Sequence, residues 1–210
     1  MKTAMVWGAS GGIGTALVKQ LADEAWTIVS IVHHRKGMSE LGAEVIEADV
    51  ADPESVQQAV DRAGEAVDVV DLWIYAAGDI ASEKVGDMTS ADWERILSAN
   101  LSGAYRAVHA SLPLLAEDAH MVFLGAVTER LRLPGLAAYA SAKAGLEAFA
   151  DVLRKEERRR RVTLVRPKAV DTALWEKVPF SVPPGALKAE VVAQRILEAH
   201  QEGGSGSLDL

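Results

Sequence analysis

The sequence predicts an α/β fold: a single domain on a doubly wound parallel sheet of about six to seven strands, with helices on both faces. Three observations carry this. Short β-branched apolar runs alternate with helical patterns along all 210 residues, as strand–helix–strand units do. The first run ends in a glycine-rich turn, Gly8-Ala9-Ser10-Gly11-Gly12-Ile13-Gly14, that opens directly into a helical pattern. The turns at Gly8, His33, Asp49, Ala76, Gly125 and Pro167 all fall at carboxyl ends of predicted strands. Right-handed crossovers then gather them along one sheet edge, where such folds bind ligands.

In order, Ala4 to Trp7 is the first strand, and Ile13, Ala16, Leu17 and Leu21 form the inner face of the first helix. Trp26 to Val32 is a buried second strand, running into His33, His34, Arg35 and Lys36 and then a short helix or loop. Glu44 to Ala48 is a third strand, closed by Asp49 and Val50. Asp52 caps the next helix and Pro53 takes its first position, where a missing N–H costs nothing. Val69 to Tyr75 is the fourth strand, turned by Ala76, Ala77 and Gly78. Thr89 or Ser90 then caps one long helix, to about Ala116, with Trp93, Ile96, Leu97, Asn100, Leu101, Ala104 and Val108 on a single stripe. Met121 to Leu124 is the fifth strand; a helix from about Leu136 turns Leu146, Phe149, Ala150 and Leu153 inward. Val162 to Val165 is the sixth strand, ended by Arg166-Pro167. Residues 171–185, with three of the seven prolines, read as a loop. The last helix buries Leu187, Val191, Val192, Ile196 and Leu197, and Ser207 to Leu210 offers a seventh strand or a tail.

Composition narrows the function. A net charge of −8 argues against nucleic acid as a partner. The basic run Arg154 to Arg161 is interrupted by Glu156 and Glu157 and reads as a solvated helix end. No apolar run approaches the roughly 20 residues that span a bilayer, and the apolar stretch before Gly8 is too short for a signal peptide, so no membrane partner is expected. The absence of cysteine excludes disulfide and thiolate chemistry and fits the cytoplasm. No metal site is expected.

Three polar residues sit where chemistry needs them. Asn100 lies on an apolar helix stripe, so its amide must be hydrogen-bonded inside. It either ties helix to strand or holds a buried water or a site lysine. Tyr139 and Lys143 are four apart at a helix start and share a face. An ammonium beside a phenol favours the phenolate, lowering a pKa of about 10. Such a phenol exchanges a proton with an alcohol or carbonyl oxygen. The glycine turn is a cradle for a pyrophosphate, because helix N–H groups and the dipole favour an anion.

Taken in order, the Gly8 to Gly14 turn, Asp49-Val50, Ala76-Ala77-Gly78, Asn100, Tyr139-Ala140-Ser141-Ala142-Lys143 and Arg166-Pro167 resemble the short-chain dehydrogenases/reductases over essentially the whole chain. The resemblance implies a Rossmann-type fold and oxidoreduction of a carbonyl/alcohol pair with a nicotinamide dinucleotide. Gly8, Ser10, Gly11, Gly12, Ile13 and Gly14 would hold the pyrophosphate, Asp49 and Val50 would lie at the adenine, and Ala76, Ala77 and Gly78 would floor the site. Asn100 would hold a proton-relaying water, Lys143 would bind the nicotinamide ribose and tune the phenol, and Tyr139 would be the acid/base. Pro167, Val170 and Thr172 match positions at the nicotinamide carboxamide. The family also implies a homodimer or homotetramer through the two long helices.

Four departures qualify it. Ala126 stands where the family has a serine whose hydroxyl meets the substrate oxygen, with Thr128 the nearest hydroxyl. Tyr75 and Trp7 replace the Asn before Ala76 and the Thr before Gly8. Lys168 follows Pro167 in place of glycine, and the chain is shorter than usual after Thr172. The first departure opens an alternative, a cofactor-sensing protein with relaxed chemistry. The last predicts a small substrate loop over residues 171–187, with Trp175 against the substrate. Strand two ends without the carboxylate that binds the ribose of NAD(H); His33, His34 and Arg35 favour NADP(H) instead.

Overall fold

The computed structural model describes residues 2–35 and 44–210. The helix or loop expected from Lys36 onward lies outside the described residues.

Seven parallel strands form one sheet. They are β1 (Thr3–Trp7), β2 (Thr27–Val32), β3 (Glu44–Glu47), β4 (Val70–Tyr75), β5 (Leu115–Leu124), β6 (Arg161–Arg166) and, at the C-terminus, β9 (Gly206–Asp209). Their order is β3-β2-β1-β4-β5-β6-β9, reversing direction beside β1. Two short strands outside this sheet, β7 (Val170–Asp171) and β8 (Leu187–Lys188), pair with each other. The helices are α1 (Gly12–Asp23), α2 (Pro53–Ala66), α3 (Ser90–Leu97), α4 (Gly103–Ser111), α5 (Ala137–Glu156) and α6 (Ala189–Gln201). The inner strands β1, β2, β4, β6 and the second half of β5 are buried on both faces, which is why they read as continuous apolar runs, while the edge strands β3 and β9 are partly exposed. One core packs Met5, Trp7, Trp73 and Phe123 under α2, α4 and α5; the other packs Val6, Leu72, Val122 and Val165 under α1 and α6. Asp52 caps α2 as expected, accepting from the Glu54 N–H at 3.0 Å.

Several boundaries move. The single long helix is two, α3 and α4, joined by a π-helical turn at Ser98–Ser102. β5 begins at Leu115 rather than Met121, since Leu115 pairs with Val70 of β4 ahead of a register shift, and Arg160 reaches back to the same segment, donating to the carbonyls of Leu112, Leu115 and Ala116. The basic run is therefore not all solvated. Residues 171–185 hold a one-turn 3₁₀ helix, Ala173–Lys177, and Leu187 belongs to β8 rather than to the last helix. Trp93 and Val191 face outward, 37% and 42% exposed.

The fold also buries an imidazole pair that no local pattern in the chain marks. His120 on β5 and His200 on α6 meet through their Nδ1 atoms at 3.2 Å, and His120 Nε2 lies 2.8 Å from Thr163 Oγ1. Burial, with Arg161 close by, pushes their pKa values down to about 3 and about 4. Free histidines titrate near 6.5, so the unfolded chain binds more protons between about pH 6.5 and pH 4. Stability is then fully present above that window and falls through it as pH drops. For His120 alone the expected loss from pH 7 to pH 4 is about 3 kcal/mol, a fall in Tm of roughly 10 °C. His120→Gln, which cannot take up the proton, should flatten this slope; an equal slope in the variant would reject the assignment.

Candidate active site

The glycine turn sits at the end of β1, beside the sheet's reversal. Gly8 has φ +78°, and a Cβ there would stand 2.4 Å from the Ala77 N. The β1 turn and the Ala76-Ala77-Gly78 turn are thus in backbone contact, which only glycine permits. A Cβ on Gly14 would meet the Gly8 carbonyl at 2.2 Å, so Gly14 also serves packing. Ser10, Gly11 and Gly12 are exposed at the start of α1, whose N-cap Gly11 offers no side-chain hydrogen bond. The orphan N–H groups of that helix end are therefore open to an anion. Ile13 is half-buried behind them.

The π turn explains how an amide reaches the interior. The Gly103 N–H bonds the Ser98 carbonyl, five residues back rather than four. A Cβ at 103 would lie 2.6 Å from both that oxygen and the Tyr75 Oη. Tyr75, the departure before Ala76, donates to the Ala99 carbonyl at 2.8 Å and braces the same turn from β4. Burial raises its phenol far above the ordinary value. Asn100, at the centre of the turn, is fully buried and donates to the carbonyls of Asp79 (2.6 Å) and Ile96 (2.9 Å). Its Oδ1 has no partner among the described residues. π turns of this kind recur at functional sites.

Lys143 is buried on the first turns of α5 and donates to the Leu124 carbonyl at 2.8 Å. A Cβ on Gly78 would lie 2.8 Å from Asn100 Oδ1 and 3.9 Å from Lys143 Nζ. Gly78 thus keeps open a gap between an acceptor and a donor. Lys143 Nζ stands over the Tyr139 ring, 5.6 Å from its centroid. The Tyr139 phenol shifts in the direction opposite to the expected lowering. Burial pushes Tyr139 up to about 12 and Lys143 down to about 8, because desolvation penalises the charged form of each. Around pH 7 Tyr139 therefore carries its proton.

The remaining positions lie along the same edge. Ala126 is buried after β5, and Thr128 does not replace its missing hydroxyl, since it points to Glu147 Oε2 at 3.3 Å. Pro167 and Val170 are buried and Thr172 is half-buried, its methyl packed over Gly12 at 2.7 Å from where a Cβ would be. Trp175 donates to the Val170 carbonyl at 2.8 Å and packs its own loop. Lys168 is exposed, its N–H on the Leu210 carbonyl. Asp49 is exposed and accepts from the Ala51 N–H, while Val50 is held by Arg106 through its carbonyl. His33 is exposed and stacks near His34, which lies 3.7 Å from Glu47; Arg35 is engaged with the Val45 carbonyl.

The profile of the short chain dehydrogenase family matches residues 2–180. The chain belongs to this family. It is 30% identical over 182 residues to a sulfoacetaldehyde reductase of Chromohalobacter salexigens, spanning 80% of the chain and 72% of that protein. A 3-oxoacyl-[acyl-carrier-protein] reductase of Mycobacterium bovis is 28% identical over 191 residues, 89% of the chain and 76% of that protein. In fold the chain superposes on an aldohexose dehydrogenase of Thermoplasma acidophilum with a TM-score of 0.88 at 21% identity, covering 100% of the chain and 92% of that structure. The family is one of oxidoreductases that bind nicotinamide dinucleotides. The site fits such a group: open N–H groups at α1, a gap kept by Gly78, and a buried amide oxygen facing that gap. Among the described residues no helix is long and apolar enough to cross a membrane.

Two elements escaped sequence reading. The π turn had no local signal, although Gly103 in an apolar helix stripe was a trace of it. Asp79, directly after Gly78, gathers Asn100, Arg95 and Lys177 and carried no motif.

Proposed function

We propose that the chain reduces a carbonyl to an alcohol, or runs the reverse, with NADP(H) preferred over NAD(H). The observation that carries this is the convergence of Asn100, Lys143 and Tyr139 around the gap above Gly78, beside the glycine turn. When bound, the nicotinamide supplies or accepts the hydride at C4. Tyr139, protonated near neutral pH, gives its proton to the substrate oxygen. Lys143 keeps spare donors for the cofactor ribose, and with Asn100 Oδ1 holds a water that returns a proton to the site. The Ser10 to Ile13 turn takes the pyrophosphate, Asp49 and Val50 border the adenine, and Thr172 meets the carboxamide. Both curated relatives are named for carbonyl reduction, which agrees with this class. A panel of aldehydes, ketones and alcohols is the test. Turnover with at least one is expected, and none, with cofactor binding demonstrated, rejects the reading.

For the cofactor, NADPH should bind about tenfold tighter than NADH, a difference of about 1.4 kcal/mol. The support is the missing carboxylate at the end of β2 and the exposed His33. The margin is modest because Arg35 is engaged with Val45 and Glu47 stands near His34. Equal or tighter NADH binding in a fluorescence titration would sink this preference. A homodimer or homotetramer is supported by Tyr105 and Val152, each about half exposed on α4 and α5; a monomeric native mass rejects it. Ala126 favours a second reading, a cofactor sensor, whose mark would be cofactor-dependent partner binding without turnover.

A further inference from the structure

We propose that Asp79 and Lys177 form a latch holding residues 172–177 as a strap across the dinucleotide trough, so that its opening sets how fast cofactor enters and leaves. This rests on the proposed dinucleotide site. The strap is pinned at three points. At its start Thr172 packs over Gly12, where the α1 N–H groups open. In its middle Trp175 Nε1 bonds the Val170 carbonyl. At its far end Lys177 Nζ meets Asp79 Oδ1 at 2.6 Å, 98 residues away in the chain. Gly12 and Asp79 stand on the turns after β1 and β4, so the strap bridges the two turns proposed to cradle the pyrophosphate and floor the nicotinamide.

Asp79 is built for this role. Its side chain is only 16% exposed, it accepts from the Ile80 N–H at 2.9 Å, and it pairs with Arg95 as well as Lys177. Its carbonyl receives the Asn100 amide. One residue thus joins the amide at the candidate centre to the strap above it. Lys177 is 55% exposed, so the pair is weak enough to open and is screened by salt. Removing Lys177 leaves Asp79 paired with Arg95, and removing the Asp79 charge leaves Arg95 paired with Asp92 at 3.2 Å. Neither change strands a buried charge.

The test uses Lys177→Met, Asp79→Asn and their double variant, read first without cofactor by chymotrypsin cleavage at Trp175 and Phe180. Each single variant should be cut about fivefold faster than the parent, and the double variant no faster than either single. Raising NaCl should speed cleavage of the parent and leave the variants unchanged, a response that a loss of packing alone does not produce. Stopped-flow release of NADPH should quicken by up to about fivefold in both single variants. Cleavage within twofold of the parent overturns the latch. A loosened strap with unchanged NADPH release overturns its control of cofactor exchange. A parent chain that binds neither NADPH nor NADH defeats the proposed function and that control together, while the protease result still decides whether the latch exists.

Discussion

Tyr139→Phe is expected to lower kcat/KM for carbonyl reduction by roughly 10³, within the 10²–10⁴ that a positioned acid contributes. The ring, its contact with Lys143 Nζ and the helix around it are all retained, so NADPH affinity should stay within about threefold of the parent. The loss would then be a loss of proton transfer, visible in kcat rather than in KM. Burial holds the phenol at about 12, so this side chain carries its proton across the whole neutral range. Lys143, held at about 8, loses its charge first as pH rises. Reduction should therefore be level below pH 8 and decline above it. Retention of more than a tenth of the activity in Tyr139→Phe would show that another group delivers the proton.

That assignment combines what is legible in the chain with what is not. The spacing of Tyr139 and Lys143, the Asp52-Pro53 cap and the glycine turn are local patterns, and local patterns survive into the structure. The direction of the pKa shifts does not. It depends on how deeply the α5 face is buried against Leu124 and Gly78, and desolvation at that depth outweighs one ammonium over a ring. The π turn was hidden for a similar reason. Its extra residue is stabilised by Tyr75, 24 residues before the carbonyl it reaches, and by close approach at Gly103. Periodicity reads such a segment as unbroken helix, because the buried Ile96, Asn100, Ala104 and Ala107 keep three- and four-residue spacings straight through it. The early start of β5 depended on the pairing of Leu115 with Val70 across a register shift, 45 residues apart in the chain. His120 and His200 met only because β5 and α6 pack together. Long-range polar contacts, more than core packing, are what the sequence left unread.

Ala126→Ser is the second large effect, and its sign separates the two readings of the chain. Ala126 follows β5 and is buried, and the Thr128 hydroxyl is turned to Glu147, so no nearby hydroxyl takes the missing place. A donor aimed at a reacting oxygen is worth about 10²–10³ in rate. If the chain is an enzyme working without that donor, restoring the hydroxyl should raise kcat for a carbonyl substrate by about 10- to 100-fold, with NADPH affinity unchanged. The gain should be smaller than the full value because a Cβ on the neighbouring Gly125 would stand 2.9 Å from Leu164 Cδ1, so the segment lies close against β6 with little room to re-aim a new hydroxyl. The effect should also depend on Tyr139, since in the proposed reaction both groups would address one oxygen. Tyr139→Phe combined with Ala126→Ser should recover little of the lost rate, a non-additivity expected of groups acting as a unit. No gain from Ala126→Ser in the parent background, with cofactor bound and the fold intact, would favour the sensing role.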